Sequence, residues 1–113
     1  MAAAIFHWTI DQGATATQLW QYAPNGVPAN LAGWTARLMV RANVADVAPL
    51  LSLTSPSGGL TISGADVVAT VTAAQAAALA AGVHVYDVEI VAPGGDVVKL
   101  SRGTLTVRAE VTR

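Results

Sequence analysis

Apolar and polar residues alternate with a period of two along much of this chain, the pattern of strands with one buried and one wet face. In residues 34–41, Ala36, Leu38 and Val40 fall on one side and Thr35, Arg37, Met39 and Arg41 on the other. That spacing predicts a half-buried antiparallel strand. Residues 83–91 repeat it, with His84, Tyr86, Val88 and Ile90 expected inward and Val85, Asp87 and Glu89 outward. Residues 97–101 answer across Ala92-Pro93-Gly94-Gly95-Asp96, a hairpin turn. A bulge is expected at Arg102-Gly103, before the alternation resumes over 104–111.

Upstream the strands are shorter. Residues 5–10 form a β-branched and aromatic run ended by Asp11-Gln12-Gly13, and 15–22 form a second, with Leu19 and Trp20 on opposite faces. Ala23-Pro24-Asn25-Gly26 carries the chemistry of a tight hairpin turn. Residues 49–54 read as a strand entered through a proline, and 60–62 and 67–72 as a pair about Ser63-Gly64-Ala65-Asp66. The period changes once. Thr72 and Gln75 stand at capping-box spacing, Ala-rich helix formers follow, Leu79 is an apolar anchor, and Gly82 is the expected stop. A helix over about residues 73–81 is predicted as the crossover between two sheets, with Leu79 pointing inward.

These elements describe an all-β, immunoglobulin-like sandwich: about seven to eight short antiparallel strands at roughly 8–12-residue spacing, with one short helix. At 113 residues the chain is expected to form a single domain, 1–113, with 1–7 as an extended N-terminal arm. Charged residues make up only 12% of it, about half the share usual in soluble domains, and the net charge is -1. Like charges never cluster in sequence, so neither a nucleic acid nor an acidic membrane surface is expected as a partner. A surface so poor in charge suits cover by other subunits. Cysteine is absent, which excludes disulfides and thiolate metal sites. The N-terminus lacks the basic region of a secretory signal, and no apolar stretch reaches bilayer length.

Candidate chemistry is sparse. His7 and His84 are the only histidines, with no third ligand at metal spacing, so no metal or other cofactor is expected. Asp87 and Glu89 share a strand face, which the pattern reads as solvated rather than catalytic. None of the serines sits in a nucleophile elbow, and the Gly-rich segments are turns with no following helix to hold phosphate. A non-enzymatic protein is expected. Trp34 reads as core or its margin. Trp8 and Trp20 could be core or exposed, and with Tyr22 they would make a carbohydrate platform if exposed. Phe6, Trp8, Trp20, Arg37 and Arg41 are the residues expected at interfaces.

Several stretches together carry a resemblance. Residues 10–15, 30–41, 72–82 and 86–89, with Gly103 and the closing 110–113, resemble a family of small tail-region structural proteins of tailed bacteriophages and prophages. The layout is similar to the N-terminal immunoglobulin-like domain of phage baseplate upper proteins. The resemblance implies a virion component, made in the host cytoplasm, that packs as a homo-oligomer or ring of copies against other virion proteins. Its expected role is that of a tail, baseplate or fibre-attachment connector working through edge strands and low-charge faces. A capsid decoration (cement) protein is the alternative within the particle, and a carbohydrate-binding adhesion module the alternative outside that class. The downstream helical and receptor-binding-protein-holding parts of baseplate upper proteins have no counterpart here, so the adaptor role is not carried over.

Overall fold

The computed structural model describes residues 4–46 and 48–111, which form an all-β sandwich with one short helix. The strands are β1 (Ala4–Ile5), β2 (Trp8–Asp11), β3 (Ala16–Gln21), β4 (Thr35–Arg41), β5 (Leu51–Thr54), β6 (Leu60–Ser63), β7 (Asp66–Val71), β8 (Gly82–Val91) and β9 (Val97–Arg108). The larger sheet has the order β1-β9-β8-β4-β5, with β2 also on β9; the smaller is β3-β7-β6. A three-strand sheet thus faces a larger sheet built around one long hairpin.

The predicted faces hold. Ala36, Leu38 and Val40 of β4 and His84, Tyr86, Val88 and Ile90 of β8 all point into the core, where the small sheet adds Val67, Ala69, Val71 and Leu60. Pairing is antiparallel except at the N-terminus, where β1 and β2 run parallel to β9. Of the expected arm, residues 1–3 lie outside the described residues, while Ala4–Ile5 is zipped onto the chain's own β9. Gly103 permits this close approach: a Cβ there would strike the Phe6 carbonyl. The Tyr86 hydroxyl donates to that same carbonyl at 2.7 Å.

Helix α1 (Ala73–Ala78) carries β7 of the small sheet over to β8 of the large one, as expected of a crossover. Its capping box is complete: the Gln75 amide donates to Thr72 Oγ1 at 3.1 Å and the Thr72 amide donates to Gln75 Oε1 at 2.9 Å. It stops sooner than Gly82 suggested. Leu79 adopts an extended backbone that takes its side chain into the core at 3% exposure, and Gly82 opens β8 instead. His84 then ties the corner, its Nε2 donating to the Ala80 carbonyl at 2.7 Å.

Two turn readings are corrected. Pro24–Gly26 is a 3-10 turn with Asn25 at φ 57°, but it joins β3 to β4 in the opposite sheet and makes no hairpin. Turn chemistry is local, whereas the choice of which strand comes back beside β3 belongs to the sheet. The bulge in β9 also falls earlier than Arg102-Gly103: the register shifts between Val88 and Glu89, which face Ser101 and Lys99. Leu100 and Ser101 are therefore both buried in succession. The interior had room for both.

Candidate functional site

The outer face of the large sheet concentrates the charge that the sequence scatters. Pairing of β4 with β8 sets Arg37 beside Glu89 and Met39 beside Asp87; pairing of β8 with β9 sets Glu89 beside Lys99 and Asp87 beside Arg102. Five of the chain's six basic residues, Arg37, Arg41, Lys99, Arg102 and Arg108, share this face with three of its seven acids, Asp11, Asp87 and Glu89. The face is basic on a chain that is acidic overall.

The β9 bulge decides how those charges pair. Without the extra residue, strand alternation would turn Lys99 inward and Leu100 out. With it, Lys99 Nζ reaches both the Glu89 carboxylate and Asp87 Oδ2, the latter at 3.3 Å. Arg37 Nε donates to Glu89 Oε1 at 2.6 Å. Both β8 acids are thus held by Lys99 and Arg37. Arg102, directly opposite Asp87, makes no ion pair among the described residues, and neither does Arg41. Arg41 Nη2 lies 3.4 Å from the Met39 sulfur, and its Nε is buried without a hydrogen-bond partner.

Above this lattice lies an open trough of about 500 Å³, within the range of small ligand sites. One wall is the N-terminal edge, with Ile5 and His7; the other is Val44 in the loop after β4. Met39 and Val85 supply an apolar floor, and Arg41, Asp87 and Arg102 its polar groups. The His7 ring is positioned by Thr104, whose amide donates to Nδ1 at 3.3 Å and whose Oγ1 lies 2.9 Å from the same nitrogen.

The expected interface residues divide between surface and core. Arg37 and Arg41 stand on this face, and Phe6 is partly exposed at the N-terminal edge. Trp8 and Trp20 are corrected: they are 4% and 8% exposed and belong to the core. Their rings meet edge to face at 5.8 Å, and Tyr86 packs against both. A flat sandwich of small residues needs large fillers where its two sheets meet, and these aromatics supply them. A carbohydrate platform of Trp8, Trp20 and Tyr22 is therefore not formed. Burial pushes the Tyr86 phenol above its ordinary value, with Ser101 and Trp20 opposing the shift. The Trp20 Nε1 still lacks a hydrogen bond of good geometry.

Sequence reading missed Arg102, Lys99 and Val44 as members of one surface. Only the pairing register and the bulge bring them together. No group of three His, Asp or Glu side chains converges on a point that could hold a metal ion, among the described residues. Neither a family model nor a curated protein matches the chain.

The small sheet offers a different feature. The outer edge of β3 is unpaired among the described residues, with β7 on its other side. Its six residues, Ala16 to Gln21, include no charge and no proline, and Leu19 stands 51% exposed. Sheet edges of this kind recruit further strands.

Proposed function

We propose that this protein is a non-enzymatic structural component of a tailed-phage virion, a connector in the tail, baseplate or fibre-attachment region. It assembles with copies of itself and with other virion proteins through sheet edges and low-charge faces. The observation that carries the assembly reading is the open edge of β3. Apart from the Leu19 carbonyl, which accepts from Gln18 Nε2 at 3.1 Å, its outward N–H and C=O groups are unpaired among the described residues and match those of an incoming strand, and it has none of the charges, prolines or bulges that shield edges. Thr17, Leu19 and Gln21 project outward beside Val68 and Thr61, giving a neighbour a neutral surface to cover. The placement in a phage particle draws on the resemblance of residues 10–15, 30–41 and 72–82 to small tail-region proteins.

Light scattering on the purified chain across a concentration series tests this directly. The wild type is expected to form a discrete oligomer. Leu19→Lys, which puts a charge on the edge without touching the core, is expected to return it to monomer while leaving the thermal midpoint nearly unchanged. A wild-type chain that stays monomeric at high concentration and is missing from purified particles by mass spectrometry would sink the proposal.

A further inference from the structure

We infer that the trough on the large sheet docks an extended acidic segment of a partner protein, whose carboxylates are received by Arg41 and Arg102. Three observations converge on it. The β9 bulge sends Lys99 to Asp87 and Glu89, so the basic charge of the face is unspent at Arg41 and Arg102, and both line the trough. The Arg41 guanidinium has no oxygen acceptor among the described residues: its Nε is buried without a partner and its Nη2 has only the Met39 sulfur, which leaves its charge to a ligand. Between the two guanidinium groups Met39 and Val85 give the floor apolar area beside Asp87, and Val44 and Ile5 rise at its sides 85% and 64% exposed.

That mixture selects a peptide over a phosphodiester. Guanidinium groups take carboxylates and phosphates alike. A nucleic-acid surface, however, gains its affinity from many basic contacts, whereas this face sets Asp87 and Glu89 among its cations. Alternating side chains of an extended peptide would send carboxylates to the arginines and apolar groups to Met39, Val85 and Val44. The inference does not rest on the assembly reading. β3 belongs to the other sheet, so a monomeric chain can still bind the peptide, and an oligomer can fail to.

The test is an amide-resolved NMR titration of the whole chain with a short capped peptide of alternating valine and glutamate. Saturable shifts are expected at Arg41, Val44, Val85 and Arg102, with affinity falling as salt rises. Arg102→Gln, at an exposed position, is expected to weaken binding about tenfold, and Arg41→Gln with Arg102→Gln to weaken it further. Asp87→Asn removes the competing carboxylate from the floor and is expected to tighten binding, a gain that loss of folding cannot mimic. No saturable shift at these amides would overturn the inference. So would equal binding of a valine–lysine peptide, or tighter binding of oligothymidylate, which would make the face a reader of phosphate.

Discussion

The two sheets of this sandwich share one core but present opposite surfaces. The large sheet is crossed by rows of charge, Lys99–Glu89–Arg37 and Arg102–Asp87–Met39, and its edge strand β9 is covered by β1 and β2. The small sheet shows threonine, serine, glutamine, leucine and valine, with Asp66 at its end, and the outer edge of β3 carries no strand among the described residues. The contrast follows from where the N-terminal segment goes. By joining β9 in parallel it covers one edge of the large sheet, whose other edge is β5, and leaves the first strand of the small sheet open among the described residues. Selectivity by charge is thus available on one side and strand addition on the other.

Where the sheets meet, the comparison can be broken most severely. Trp20 comes from the small sheet and packs on Trp8 and Tyr86 of the large one, so Trp20→Ala is expected to cost about 3–5 kcal/mol in urea unfolding. A loss near zero would return Trp20 to the surface and revive a binding role. Next in size is Tyr86→Phe, which deletes the hydroxyl shared by the Phe6 carbonyl and, at 3.0 Å, by Ser101 Oγ. About 1–2 kcal/mol is expected, with faster hydrogen exchange along β1 and β2 and little change in β3. Equal loosening of both sheets would refute the view that this hydroxyl anchors the N-terminal edge.

The pH dependence has the same origin. Burial raises the Tyr86 pKa in the folded state above its ordinary 10.0, so its contribution is fully present below that pH. It is lost as pH rises through the folded value, and Tyr86→Phe should flatten stability in that alkaline window. Thr72→Ala acts on the crossover between the sheets. It removes the side-chain half of the capping box and is expected to cost about 1 kcal/mol, read as a lower denaturation midpoint.

The smallest effect belongs to the exposed pair of Asp11 with Arg108, at 2.7 Å. The guanidinium lowers the Asp11 pKa, so the pair stabilises above the ordinary carboxylate value of 3.8 and its contribution is lost as pH falls through the lowered one. Asp11→Asn should remove that acid-side slope, visible in low salt and screened in high salt. A large loss of stability at neutral pH would show that β2 depends on this pair rather than on Trp8 and Ile10.

Much of this protein was legible in its sequence, because the relevant physics is local. Strand alternation named the inward residues of β4 and β8, Thr72 and Gln75 announced the capped helix, and Pro93-Gly94-Gly95-Asp96 the hairpin between β8 and β9. Tertiary structure decided the rest. Whether Trp8 and Trp20 face water, where the β9 bulge falls, and which strand each turn leads to depend on how much interior the two sheets must fill together. The basic face has the same cause: Arg37, Arg41, Lys99 and Arg102 become neighbours only when β4, β8 and β9 align in register. Period and cap chemistry act over a few residues, while charge and edges are distributed by pairings between strands far apart in the chain.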